Sequence, residues 1–184
     1  MFNKISISQM KKLAFILLTF VGFIEISMAK QVYSEPTGYL NDHGYVDLSL
    51  PSGNKWATCN VGAKDAYYSG EYCYWGIDGS KPDSTYNSKF SIAGTNSDIA
   101  TVDWEEGWRT PSDMDWIELK KFCKWKWTTI NGQRGYLITG KNQNSIFLPA
   151  SGYNCTYGKR RQGATGAYWS ATYNPYVNEN STFV

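Results

Sequence analysis

A turn flanked by tryptophans sets the start of a helix at residues 107–116. Pro111 fixes its own φ and biases the preceding residue towards an extended conformation. Ser112 can then act as the N-cap, and Asp115 stands three residues later, where a carboxylate can reach back to the N–H of the cap. This spacing predicts a helix over residues 112–123.

The same stretch predicts which side chains are buried. Trp116, Leu119 and Cys123 recur at helical spacing and form one apolar stripe. Trp108 is expected to bury against the same core as Trp116. Arg109 is interpreted as a structural arginine that bonds loop carbonyls or pairs with a carboxylate, in preference to a ligand contact.

Most of the remaining pattern is typical of β structure, with alternating apolar and polar residues between turns rich in glycine, proline and asparagine. The predicted strands are residues 45–50, 55–61, 71–76, 125–129, 135–140, 145–150 and 168–172. One helical turn is expected at 98–102, and polar loops are expected at 78–95 and 152–166. The predicted fold class is therefore α+β and mostly β, with one well-defined helix and long loops.

The first 29 residues have the pattern of a secretory signal. A positive region with three lysines precedes an apolar run at residues 13–24, which is too short for an ordinary transmembrane helix. Small residues at positions 27 and 29 predict cleavage after Ala29, and the alternative is an uncleaved anchor. We expect an exported protein with no membrane span after cleavage, a leader at 30–45 and one domain at 46–184.

The charge of the exported part argues against nucleic acid as a partner. The whole chain carries 18 basic and 16 acidic residues, but the signal holds three lysines and one glutamate. Removing them leaves 15 of each sign and a formally neutral chain, whereas a nucleic-acid-binding domain needs a basic face.

Four cysteines remain after cleavage, at positions 59, 73, 123 and 155. Export permits disulfides, but four cysteines allow three pairings, and the sequence itself does not choose among them. Buried free thiols are the alternative for at least two of them. No CxxC spacing is present and His43 is the only histidine, so no metal site is predicted.

Catalytic patterns are also missing from the sequence. His43 lies in the leader, away from any candidate serine or cysteine nucleophile, and no glycine-rich phosphate loop opens a helix. The acidic residues Asp103, Glu105 and Glu106 are interpreted as solvated loop charges. We therefore predict a protein that is not an enzyme and that needs no cofactor.

Several motifs follow one another in order after residue 45. They are Val-Asp-Leu at 46–48, Leu-Pro-Ser-Gly at 50–53, Trp-Ala-Thr-Cys-Asn-Val-Gly-Ala at 56–63, Trp-Gly at 75–76, Trp-Arg-Thr-Pro-Ser at 108–112, residues 125–129, Asn-Ser-Ile-Phe-Leu-Pro-Ala-Ser-Gly-Tyr at 144–153 and Tyr-Trp-Ser-Ala-Thr at 168–172. With this run of motifs, the chain resembles the Fibrobacter succinogenes major paralogous domain, a family of exported bacterial proteins. The family in turn is similar to the C-type lectin-like fold of formylglycine-generating enzymes and of variable receptor-binding proteins of retroelement systems.

The resemblance implies a C-type lectin-like fold, an exported location (secreted, periplasmic or at the cell surface) and a binding role, with no established activity to carry over. It also implies a disulfide between Cys59 and Cys123, because both lie in segments like those of the family. Family members usually continue past the Tyr-Trp-Ser segment through further strands. We therefore expect a truncated domain with an uncovered strand edge and marginal stability.

The loop at 152–166 is the candidate ligand site. It is long, glycine-rich and polar, and it lies between two predicted strands, as recognition loops often do. Its candidate contact residues, together with the nearby Trp169, are Tyr153, Asn154, Tyr157, Arg160, Arg161 and Trp169. The alternatives are a solvated loop with Trp169 in the core, or a site on the 78–95 loop.

Two functions remain open on the sequence. The first is a non-catalytic binding module for a glycan or a surface protein, since tyrosine and arginine offer contact area and donors. The second is a structural subunit of a bacterial cell-surface assembly.

Overall fold

The computed structural model describes residues 33–76, 91–155 and 157–173, and the backbone of residues 181–183. Within these residues the chain forms ten short strands and two helices, which confirms the mostly-β α+β composition. The strands are β1 Gly38–Leu40, β2 His43–Val46, β3 Trp56–Ala57, β4 Lys124–Ile130, β5 Gln133–Thr139, β6 Ser145–Pro149, β7 Tyr153–Cys155, β8 Gly158–Arg160, β9 Ala167–Trp169 and β10 Ser181–Phe183. The helices are α1 Ile99–Trp104 and α2 Asp113–Phe122.

The three strands β4, β5 and β6 form an antiparallel meander in that order. Asn131 and Gly132 join β4 to β5 with φ values of 48° and 79°, the left-handed conformation that a tight two-residue hairpin turn needs. Ile130 therefore pairs with Gln133, and the register continues to Lys124 opposite Thr139. The three strands confirm the predictions at 125–129, 135–140 and 145–150.

Helix α2 begins and ends where the sequence predicts. Ser112 is the N-cap, and its side chain accepts from the backbone N–H of Asp115, which returns a bond to the N–H of the cap. Trp116 and Leu119 are buried and Cys123 is partly buried, so the predicted stripe faces the main core. The buried members of that core are Val46, Leu48, Leu50, Trp56, Trp116, Leu119, Ile138, Ile146 and Leu148.

The prediction of a leader at 30–45 differs from the structure, in which part of this segment is folded. Residues 38–45 contribute β1 and most of β2, which form an antiparallel hairpin, and β3 then pairs with β2. The predicted strands at 45–50 and 55–61 are correspondingly shorter, although they do pair with each other. Ser49 has a φ of 54°, so the extended chain turns there while Leu48 and Leu50 remain in the core.

No strand forms at residues 71–76, against the prediction. Two indole N–H groups connect this segment to residues 169–170, and the first is the Trp169 Nε1, which donates to the Cys73 carbonyl oxygen at 2.9 Å. In the reverse direction, the Trp75 Nε1 donates to the Ser170 carbonyl oxygen at 2.8 Å. This segment is thus fixed by indole N–H groups in place of a strand ladder.

Helix α1 is a second helix, longer than the single turn predicted at 98–102. Its N-cap, Asp98, is fully buried, and its carboxylate accepts from the Ala100 N at 3.1 Å and the Gly94 N at 3.1 Å. The same carboxylate accepts from the Thr110 N at 2.8 Å and the Thr110 Oγ1 at 2.6 Å. The buried charge is stabilised by these donors, and it joins α1 to the turn before α2.

The predicted loop at 152–166 is partly ordered as a two-stranded ribbon of β7 and β8. The predicted strand at 168–172 corresponds to β9, which pairs with β10. The other candidate loop, 78–95, lies largely outside the described residues. The structure holds all four cysteines as free thiols, and the Cys59–Cys123 disulfide stays a prediction of the family resemblance. Cys123 packs against the main core at the end of α2, whereas the Cys59 Sγ donates to the Ala63 carbonyl oxygen at 3.4 Å within its own loop.

Candidate functional site

A cleft of about 1480 Å³ opens where the first hairpin, the 69–74 segment, the turn before α2 and the start of the β7–β8 ribbon meet. Its floor is formed by core strands, and its walls carry an unusual number of aromatic side chains. Those aromatic lining residues are Tyr39, Tyr45, Trp56, Tyr72, Tyr74, Trp104, Trp108, Trp116, Phe147, Tyr153, Tyr168 and Trp169.

Three tyrosines at the cleft are also exposed to solvent. Tyr39 is 68% exposed, Tyr74 is 77% exposed and Tyr153 is 36% exposed. They come from β1, from the irregular 71–76 segment and from β7, so three separate parts of the chain contribute an exposed tyrosine to the lining of one cleft. Exposed rings that converge on a concave surface are typical of a binding site.

A stack of rings forms one wall of the cleft. The His43 ring lies parallel to Trp104 with a centroid distance of 4.4 Å, and Trp108 meets Trp104 edge-on at 5.0 Å. The Trp108 Nε1 donates to the Leu40 carbonyl oxygen at 3.0 Å, which fixes this wall to β1. His43 is not itself a lining residue, and it packs against the two tryptophans that are.

Arg109 lies on the same wall and is held by a carboxylate. Its NH1 and NH2 donate to Asp115 at 2.6 and 3.0 Å, in a bidentate pair. The Asn54 Nδ2 donates to Asp115 at 2.8 Å, and the Ser112 N and Oγ donate at 2.7 Å each. This geometry agrees with the interpretation of Arg109 as a structural arginine that pairs with a carboxylate.

The electrostatics of this network favour the charged carboxylate. Burial alone would raise the pKa of Asp115, but the hydrogen bonds from Arg109 and Ser112 outweigh burial and lower that pKa to about 2. The Asp115 bond raises the pKa of Arg109 in turn. Asp115 uses its oxygens on these donors and is not poised to take a proton from a ligand at neutral pH.

Four of the predicted site residues line the cleft. Tyr153, Asn154, Arg161 and Trp169 contribute to its wall, and the Trp169 ring is half-buried with its N–H already bonded. Tyr157, which is 82% exposed, and Arg160 are not among the residues that line the cleft.

Tyr72 anchors the base of the ribbon to the cleft. Its hydroxyl donates to the Ser151 carbonyl oxygen at 2.5 Å and accepts from the Gln162 Nε2 at 3.3 Å. The Lys159 Nζ lies 4.5 Å from the centre of its ring. Tyr72 therefore fixes Ser151 and Gln162, the residues that flank the β7–β8 ribbon, and Tyr153 follows Ser151 closely in the chain.

Tyr39 and Tyr74 line the cleft but are not among the site residues that the sequence predicts. Tyr39 lies in the predicted leader and Tyr74 in a predicted strand, and neither pattern indicates a ligand contact. The signal available was an apolar pair, Tyr39 and Leu40, before the polar turn residues Asn41 and Asp42. Such a pair in an otherwise polar stretch indicates a hairpin that packs on something.

Comparison of the chain with protein-family models, with curated proteins and with solved structures gives no match. Among the residues that the structure describes, no group of three or more His, Cys, Asp or Glu side chains is placed to hold a metal ion. Across the same residues, neither helix has the length and apolar character needed to cross a membrane.

Proposed function

We propose that this chain is an exported, non-catalytic binding module and that its aromatic cleft holds a glycan. The proposal takes up the resemblance to the Fibrobacter succinogenes major paralogous domain and its C-type lectin-like fold. It also takes up the signal-like pattern of the first 29 residues, which favours export to a secreted, periplasmic or surface location.

The observation that carries the proposal is the convergence of Tyr39, Tyr74 and Tyr153 on one cleft. Tyrosine rings supply rigid contact area at low conformational cost and a hydroxyl for hydrogen bonding. A sugar ring is matched to such a surface, since it offers a C–H face for packing and hydroxyls for polar contacts. Asn154 and Arg161 add donors at the same wall.

The polar groups of the cleft support binding more than catalysis. His43 is packed against two tryptophans, and Asp115 is occupied by Arg109, Ser112 and Asn54. A general base must be able to reach the proton that it takes. Neither group is arranged for that task.

A glycan array followed by titration calorimetry tests the proposal. For the glycan that binds, Tyr74→Ala and Tyr153→Ala are each expected to weaken affinity by about tenfold, roughly 1.4 kcal/mol. Tyr68→Ala is the matched control, because Tyr68 is also exposed but lies outside the cleft lining. The opposite result would place the glycan site at the ribbon tip. In that case the double variant Tyr157→Ala with Arg160→Ala would lose glycan binding, and the two cleft variants would keep it.

A structural subunit of a bacterial cell-surface assembly is the second candidate. It is favoured by Met114 and Ile117, which are exposed one turn apart on the outer side of α2. If the purified protein forms polymers, and the double variant Met114→Ser with Ile117→Ser does not, the result would support this function. Dispersed monomers that a glycan stabilises would support the first.

A further inference from the structure

We propose that the outer edge of β4 binds an extended, acidic segment of a partner protein as an added strand. This surface is separate from the aromatic cleft, and the inference does not depend on the glycan. In the part of the chain that the structure describes, β4 pairs with β5 on one side only. With seven residues, β4 offers a long edge for a fold of such short strands.

The register of β4 against β5 determines which backbone groups of β4 point away from β5 and can bond to an added strand. A two-residue turn makes Ile130 and Gln133 a hydrogen-bonded pair, and the bonds then alternate along an antiparallel ladder. The N–H and C=O groups of Trp125, Trp127 and Thr129 consequently point away from β5. The Ala150 N donates to the Arg134 carbonyl oxygen at 2.7 Å, which agrees with this phase, because Arg134 lies opposite Thr129 and faces β6.

The positive charge along the outer edge of β4 favours an acidic partner segment. Lys124 and Lys126 are exposed on one face of β4, and Lys120 and Lys121 are exposed at the end of α2 just before it. Among the described residues, none of these four has a carboxylate within ion-pairing distance. The exported chain as a whole is neutral, so this is a local concentration of positive charge.

A second copy of the chain is a poorer occupant than an acidic segment. Lysines on a strand edge hinder pairing between identical edges, because like charges are brought together. The same lysines attract a strand that carries carboxylates at alternate positions. Backbone bonds then supply affinity, and the alternating side chains supply selectivity.

Short synthetic peptides test the proposal on the full chain. A peptide of alternating glutamate and threonine is expected to bind, and one of alternating lysine and threonine is not. Two further forms carry N-methyl groups at the glutamates or at the threonines. Since only one set of amides can face β4, one form should lose binding and the other should keep it.

Variants of the protein give the matching half of the test. Thr129→Pro removes an outward N–H without removing a bond to β5, and it should weaken binding of the acidic peptide at least about tenfold relative to Thr129→Ala. Lys124→Glu with Lys126→Glu should weaken binding similarly, whereas Lys64→Glu with Lys141→Glu, at exposed sites elsewhere, should not. Melting temperatures establish that each variant is folded.

Polyphosphate separates strand addition from general attraction of anions. If polyphosphate and both N-methylated forms bind as well as the parent peptide, the lysines form a polyanion site and the proposal is overturned. It is also overturned if the acidic peptide does not bind, or if the purified chain is a dimer that Thr129→Pro dissociates.

Discussion

Arg109 and Asp115 form a bidentate ion pair across the turn that starts α2, with nitrogen–oxygen distances of 2.6 and 3.0 Å. The carboxylate is at the same time part of the capping box of that helix. The pair therefore fixes the wall of the cleft and the direction of the helix together.

Replacing Arg109 by alanine is expected to lower the free energy of unfolding. The lost bonds involve charged partners, but the Arg109 side chain is 38% exposed, so solvent screening reduces the effect to about 1–2 kcal/mol. Urea denaturation measures the change. Arg160→Ala, which removes an exposed arginine on the ribbon, should leave stability almost unchanged, and an equal loss in both variants would contradict the assigned role of the pair.

The stability of the protein is expected to depend on Asp115 at low pH. A carboxylate whose pKa falls on folding contributes stability that is fully present above its ordinary pKa of 3.8 and is lost as pH falls through its folded value of about 2. The difference in stability between the parent chain and Asp115→Asn should therefore shrink between pH 4 and pH 2. Denaturation midpoints of the two proteins, measured across this window, check the trend, and a difference that stays constant from pH 4 to pH 2 would contradict it.

Gly140→Ala is expected to destabilise the fold through a backbone clash. A Cβ at this position would lie 2.2 Å from the Leu48 carbonyl oxygen, so either the meander or the 47–50 segment has to shift. Overpacking of this kind costs about 1–3 kcal/mol. Thermal unfolding with Gly53→Ala as comparison tests the cause, because open space surrounds Gly53 and only its left-handed φ is strained there.

The four thiols should differ in their rates of reaction with a thiol reagent. Burial raises the pKa of Cys59, Cys73 and Cys123, whereas Cys155 is exposed on the ribbon. Thiolate is the reactive form, so we expect one fast thiol that Cys155→Ser removes and three slow ones. Recovery of Cys59 and Cys123 as a disulfide from protein isolated under non-reducing conditions would instead support the pairing that the family resemblance implies.

Local signals account for the parts of the fold that were predicted. The start of α2 follows from Pro111, Ser112 and Asp115, which are close together in sequence. The β4–β5 hairpin follows from Asn131 and Gly132. In both cases the backbone conformation is determined within a few residues, so distant contacts need not be known.

Distant side chains account for the parts that were missed. The 71–76 segment has strand-like residues, but its course is set by bonds that involve Ser170 and Trp169, which are about a hundred positions away in the chain. The cleft could not be foreseen for the same reason, since Tyr39, Tyr74 and Tyr153 meet only after the chain has folded. A pattern within one segment contains no information about such encounters.

The hydrogen bonds of Asp98 determine how α1 and the turn before α2 unfold. The Asp98 carboxylate accepts from backbone N–H groups of both the first turn of α1 and Thr110. If either segment unfolds, a buried N–H of the other loses its acceptor. The two segments therefore belong to one cooperative unfolding unit. Hydrogen exchange at the Ala100 and Thr110 amides is then governed by a single opening event, and the two amides exchange in step.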